Sequence, residues 1–317
     1  MDENELMGSM KVSKAVAKMA IPSVISSLVT VVYNMADTFF VGQTGDPLQV
    51  AAVSQTNPIF ILFMAFANMF GMGGSAAASM ALGEKKEKRV KQVSSFITYA
   101  SLIVGIVFAV ILLDGMQPVL QLFGADADTY ELAKGYTTYI SYGAPFIIWS
   151  AAASFVVRAD GASREAMTGS MIGTVANIIL DPIFISGFGM GAAGAAIATT
   201  IGNIMASVYY LWYFCRKSRN MSMAFRYFKC GDRILSQVCS AGLPTAIFSA
   251  LMSISTIILN QILVAYGNAP VAAIGIVFKA NMFITFLQMG LANGVQPLLG
   301  YNYGSGDHKR FVSVEGG

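Results

Sequence analysis

Eight apolar segments, at roughly 15–42, 50–82, 93–113, 132–157, 166–188, 191–215, 234–265 and 269–303, occupy most of the chain. Each reaches or exceeds the ~20 residues that a helix needs to cross a hydrocarbon core. Lipid cannot satisfy backbone N–H and C=O groups, so spanning segments of this kind are restricted to helices. Several are longer than a perpendicular crossing requires, which predicts tilt, kinks or extension beyond the bilayer. Charged residues make up only 12% of the 317 residues, about half the share of a soluble domain. Mean hydropathy is +0.61. The expected fold class is an all-α polytopic membrane protein.

Lysine and arginine set the orientation. Lys11, Lys14 and Lys18 precede the first segment, and Lys85, Lys86, Lys88, Arg89 and Lys91 follow the second. Arg158 and Arg164 follow the fourth; Arg216, Lys217, Arg219, Arg226, Lys229 and Arg233 follow the sixth; Lys309 and Arg310 follow the eighth. Lys134 is the one exception near the opposite loops. This alternation places the N-terminus in the cytoplasm and the chain in the inner (plasma) membrane. The net charge of +3 is thereby explained as topology signals, and no nucleic-acid partner is expected. Cys215, Cys230 and Cys239 lie in or beside one basic connector and read as plain thiols. His308 is the only histidine, which argues against a histidine metal site or triad. The acidic start and long first segment do not resemble a cleavable signal peptide.

The chain also repeats itself. Ala20-Ile-Pro22 returns as Gly242-Leu-Pro244, and Val50-Ala-Ala-Val53 as Val271-Ala-Ala-Ile274. Gly71-Met-Gly-Gly74 aligns with Gly294-Val-Gln-Pro297, and the stretch 82–89 with 303–310, each at an offset of roughly 222 residues. Six spans fill that interval, so both units share one orientation and the repeat is parallel. The expected domains are a six-helix lobe at 1–215, a cytoplasmic linker at 216–233, and the first two helices of a second lobe at 234–317. Within the linker, Met221–Phe228 reads either as a short interfacial helix or as ordinary linker. Completing the second lobe predicts twelve spans in about 440–450 residues, so the chain reads as C-terminally truncated, with about eight helices present.

Two of the seventeen acidic residues lie deep in a span, Asp37 and Asp181. A carboxylate at such depth costs several kcal/mol unless partnered. Asn177 precedes Asp181 by one turn and Asn34 precedes Asp37 similarly, so each amide shares a helix face with its acid. Pro182 has no N–H and is expected to loosen the backbone one turn earlier, near residue 178. Both acids fall at one expected depth. Thr199, Thr200 and Asn203 of the sixth segment, and Tyr136, Tyr139 and Tyr142 of the fourth, are expected to converge on them. Oxygen ligands suit a hard cation such as Na⁺, whereas two like charges raise one carboxylate pKa and suit a proton. A structural network of helix–helix contacts is the competing reading. Asp37 maps near Leu259 and Asn260 in the second repeat, so the ion site belongs to the first lobe.

Lys279, in the eighth segment, either pairs with a polar group or lines the cavity. Nineteen methionines and 11% aromatics suit lipophilic cations, although most must pack or face lipid. The small-residue patches at 71–79 and 189–194 permit close helix approach and carry no phosphate-loop pattern.

Tyr33-Asn-Met-Ala-Asp-Thr-Phe-Phe-Val-Gly42, Asn177-Ile-Ile-Leu-Asp-Pro182 and Gln296-Pro-Leu-Leu-Gly-Tyr-Asn-Tyr-Gly304 resemble the first, fifth and eighth helices of the multidrug and toxic compound extrusion (MATE) family, especially its bacterial branch. The resemblance implies two six-helix lobes forming a V and export of small organic compounds, driven by Na⁺ or H⁺. It implies a cation or proton site of Asp37, Asn177, Asp181 and Thr199, with Tyr139 nearby. Asn34, Thr200 and Asn203 are expected as support. No cofactor and no metal beyond Na⁺ are expected, nor an enzymatic activity; a monomer in the bilayer is the default. A lipid-linked precursor flippase of the same superfamily, which calls for a strongly cationic cavity, is the alternative. An intramembrane aspartyl enzyme would also use paired acids, but a parallel lobe repeat favours alternating access.

Overall fold

A computed structural model describes the backbone of residues 3–43, 45–125, 127–229, 231, 233–264 and 268–315. Side chains are described throughout these except at 3–4, 37–38, 47, 249–250, 253–254, 256–257, 260–261, 263–264, 268–276 and 278–280. Every regular element among the described residues is helical. They are α1 (Glu3–Gly8), α2 (Val12–Gly42), α3 (Pro47–Gly83), α4 (Glu87–Asp114), α5 (Met116–Leu122) and α6 (Tyr130–Ala159). Then come α7 (Ser163–Pro182), α8 (Gly191–Arg216), α9 (Ile234–Val264), α10 (Asn268–Ser305) and α11 (His308–Glu315). Six of them, α2, α3, α4, α6, α7 with its extension to Gly187, and α8, are long and apolar enough to cross a membrane. The protein is a multi-pass membrane protein. The long apolar segments read from the sequence coincide with helices to within a few residues, whereas short α1, α5 and α11 carry too little apolar length to register there.

Helix α6 is the hub. It packs against α3, α4, α7 and α8, and Ile147, Ile148, Trp149, Ala152 and Ala153 along it are buried. Helix α4 turns the other way: Ile103, Ile106, Val107, Val110 and Ile111 are exposed. In water such a stripe would be a liability; in lipid it is the expected surface.

Helices α9 and α10 lie against α2 and α3. The pairs in contact are α2 with α10, α3 with α9, and α3 with α10. Exchanging α2 for α9 and α3 for α10, as the sequence repeat does, converts the first pair into the second and leaves the third unchanged. The contacts thus follow an approximate twofold relation. Backbone approaches repeat it: a Cβ on Gly294 would stand 2.6 Å from Ala20 Cα, and one on Gly73 3.1 Å from Gly242 N. Ala20 and Gly242 are partners in the repeat. Without side chains at these crossings the helices can touch backbone to backbone.

The connector after α8 is extended, with a single 3-10 turn at Phe225–Tyr227 in place of the interfacial helix weighed for 221–228. It is docked on α4: Ser94 Oγ donates to the Ser222 carbonyl at 2.9 Å and Ser95 Oγ to that of Ala224 at 3.1 Å. Tyr99 Oη donates to the Met223 carbonyl at 3.0 Å, and Phe228 stacks near Phe96. Cys215 and Cys239 carry free thiols; Cys230 lies outside the described residues.

Candidate functional site

Helices α7 and α8 run antiparallel and meet at two glycines. A Cβ on Gly202 would stand 2.6 Å from the Gly173 carbonyl oxygen, and one on Gly173 2.9 Å from that of Gly202. Only glycine allows so close an approach. Asn177 follows Gly173 by one turn and Thr199 precedes Gly202 by nearly one, so the crossing itself brings Asn177 and Thr199 together. Asp181 is one further turn along α7, on the same face. All three are buried, Asp181 completely.

The hydrogen bonds orient the Asn177 amide. Its Nδ2 donates to Asp181 Oδ2 at 2.9 Å, while its oxygen accepts from the Thr199 hydroxyl at 3.1 Å and the Thr199 N–H at 2.9 Å. The reverse orientation would set the amide oxygen against the carboxylate and Nδ2 against the Thr199 N–H, so the hydrogen-bond network selects the first. Two facing acceptors repel unless a cation or proton lies between them. Tyr33 Oη lies 3.5 Å from Thr199 Oγ1, adding α2 to the cluster. Asn203 Nδ2 donates to the Thr199 carbonyl at 2.8 Å, and its oxygen accepts from Ser150 Oγ at 2.9 Å, joining α8 to α6.

A cavity of about 420 Å³ opens beside this cluster. Asn34, Asn177, Thr199 and Asn203 line it, with Phe60, Met64, Phe286 and Met289 supplying apolar wall. Pro182 leaves the carbonyl of residue 178 without its helical donor, and a further departure follows the proline: Ile183–Gly187 forms a π turn, in which the Phe188 N–H reaches the Ile183 carbonyl at 2.9 Å. Such wide turns accompany functional sites.

Several expected residues fall elsewhere. Tyr139 and Tyr142, three apart on one face of α6, are exposed and absent from the described cavity wall. The opposite face of α6 is the one that packs. Tyr139 contributes only its carbonyl, which accepts from Thr200 Oγ1 at 3.0 Å; Thr200 packs against Gly143 rather than the cavity. Tyr136 packs in the apolar core. The phenols beside the cavity are Tyr33 and Tyr210, from α2 and α8. The side chains of Asp37 and Lys279 lie outside the described residues, although α2, which carries Asp37, packs against α7.

Arg158 differs most from its sequence reading. Counted there among loop charges, it is buried in the last turn of α6 and lines the cavity. Its proximity to a chain turn hid it, because charge near a span end normally signals topology. Asp160, two residues on, is also buried: Oδ2 accepts from Tyr213 Oη at 2.8 Å and Ser218 Oγ at 2.7 Å, and Oδ1 from Asn220 Nδ2 at 3.1 Å. Burial pushes its carboxyl above the usual carboxylate range, and those three donors oppose the shift.

The MatE family model matches residues 22–183 and 244–314. The multidrug export protein MepA of Staphylococcus saprophyticus subsp. saprophyticus is 35% identical over 303 residues, covering 96% of this chain and 67% of its own length. MepA of Staphylococcus aureus strain NCTC 8325 / PS 47 is 33% identical over 292 residues, covering 92% and 65%. A solved structure described as the outward-facing conformation of a multidrug resistance MATE family transporter of the MOP superfamily superposes with a TM-score of 0.93. It is 26% identical and the match covers 99% of this chain and 70% of that one. The chain spans about two thirds of the length of the curated relatives it matches.

Proposed function

The chain belongs to the multidrug and toxic compound extrusion family, and from that premise we propose that it acts in secondary active export of lipophilic, often cationic, organic compounds by antiport with Na⁺ or H⁺. One observation carries this reading: Asn177 and Thr199 belong both to the cavity wall and to the hydrogen-bonded cluster around Asp181. An ion arriving at Asp181 would compete with the Asn177 amide for the carboxylate and so alter the wall that a substrate touches. Asp37, carried by α2, would supply a second carboxylate to the same cation or proton. Coupling requires the ion to bind one conformation more tightly than the other, since equal affinity shifts nothing. Pro22 in α2 and the π turn after Pro182 supply places for the backbone to yield.

In this reading residues 1–215 form one lobe of an alternating-access pair, 216–233 the connector and 234–317 the opening of the second lobe, with the N-terminus in the cytoplasm and a monomer in the bilayer. A flippase for lipid-linked precursors would call for a strongly cationic cavity, whereas the described wall holds a single charged residue. The curated relatives are named as export proteins, so the aspartyl-enzyme alternative is set aside. The test is reconstitution into vesicles with imposed Na⁺ or pH gradients and a fluorescent organic cation. Export accelerated by either opposing gradient is expected; a rate that is the same with both gradients collapsed would overturn the proposal.

A further inference from the structure

Arg158 is the only charged side chain among the described residues that line the cavity. It is 6% exposed, and its Nε is buried with no hydrogen-bond partner. The nearby hydrogen-bonding groups have other engagements. Tyr210 Oη donates to the Ala166 carbonyl at 2.8 Å and shares a 3.0 Å contact with Ser170 Oγ. Ser154 Oγ donates to the Ala151 carbonyl at 2.8 Å. The acids that follow it in sequence are likewise taken: Asp160 holds Tyr213, Ser218 and Asn220, and Glu165 is paired with Lys217. Arg158 packs on the Phe155 ring, whose centroid lies 5.3 Å from Cζ, and the neutral Tyr210 phenol lies near enough to interact with it electrostatically. A guanidinium cannot shed its proton, and a buried one without a counter-charge is costly.

We infer that the counter-charge absent among the described residues is supplied by the ligand, and that Arg158 makes this cavity a site for amphiphiles bearing a carboxylate. The planar fork of the guanidinium matches two carboxylate oxygens, a geometry an ammonium cannot reproduce. Phe60, Met64, Phe286 and Met289 would hold the apolar body. A substrate carrying both charges would place its carboxylate at Arg158 and leave its cationic end free for the rest of the cavity. This inference rests on the export reading in taking the cavity as the substrate site, and it narrows the class that site prefers.

A matched pair of dyes tests it. Rhodamine B carries a free carboxylate, and its ethyl ester differs only by masking that group. Binding of each to the purified chain in detergent, followed by fluorescence anisotropy, should favour the acid by roughly tenfold, the scale of one charge-assisted hydrogen bond. Arg158→Gln should bring the acid down to the affinity of the ester, and Arg158→Lys should keep part of the preference. If wild-type protein binds acid and ester equally, or Arg158→Gln keeps the preference, the inference is overturned while the cavity reading stands. Binding of neither dye overturns both. Should the glutamine variant fail to fold, the wild-type comparison and the lysine variant decide the matter.

Discussion

Asn177 donates through Nδ2 to Asp181 Oδ2 at 2.9 Å, one helical turn further along α7. Neither residue could sit there alone. A fully buried carboxylate requires a donor, and an amide is a donor whose other half is an acceptor. The amide therefore holds the buried carboxylate through Nδ2 while Thr199 holds its oxygen.

Asp181→Asn is expected to abolish gradient-driven export while leaving insertion and folding intact, because an amide keeps the hydrogen-bonding shape but cannot change its charge. Vesicle transport beside a thermal-unfolding trace in detergent checks both halves. Export at the wild-type rate would make Asp181 structural.

Thr199→Val removes the hydroxyl that the Asn177 oxygen accepts from. The expected stability loss is about 1 kcal/mol, the net worth of one hydrogen bond. Ion affinity should weaken by severalfold, because the amide loses the partner that fixes its orientation. Equilibrium unfolding and cation or proton titration of the same preparation read the two effects separately.

Gly304→Ala should destabilise the α3–α10 crossing, where the added Cβ would stand 2.2 Å from the Met80 carbonyl oxygen. Overpacking of this kind costs about 1–3 kcal/mol, visible as a lowered melting temperature. Gly42→Ala is the control. Nothing lies within 4 Å of its Cβ position, so its melting temperature should be unchanged or slightly raised.

The carboxyl of Asp160 gives the protein a pH response of defined sign. Burial raises its folded-state pKa above the ordinary value of 3.8, so the folded state holds the proton more tightly than the unfolded one. Its contribution to stability is fully present below that ordinary value and is lost as pH rises through the folded-state pKa. Melting temperatures measured from pH 4 upward should therefore fall more steeply for wild type than for Asp160→Asn, which has no proton to lose. Parallel curves for the two proteins would refute the assignment.

Much of this was legible in the residues. Long uncharged segments in lipid have few alternatives to helix, and the repeat at an offset of roughly 222 residues anticipated which helices exchange places across α2, α3, α9 and α10. Asn177 and Asp181 were readable as a unit because helical geometry sets their spacing. Thr199 was readable from its position on the adjoining segment. Tyr139 was not: which face of α6 packs depends on partners far away in sequence, and periodicity along so apolar a helix does not distinguish core from lipid.

The sequence by itself determined the membrane class, the helical segments and the local grouping of an amide with an acid, since each follows from length, hydropathy or the pitch of one helix. Tertiary structure alone decided what those groups face. The glycine crossing at 173 and 202 brings Thr199 to Asn177, the turn of α6 sends Tyr139 outward, and the same helix ends by burying Arg158 in a cavity wall. Contacts between segments depend on side chains packing across distances that no local pattern records.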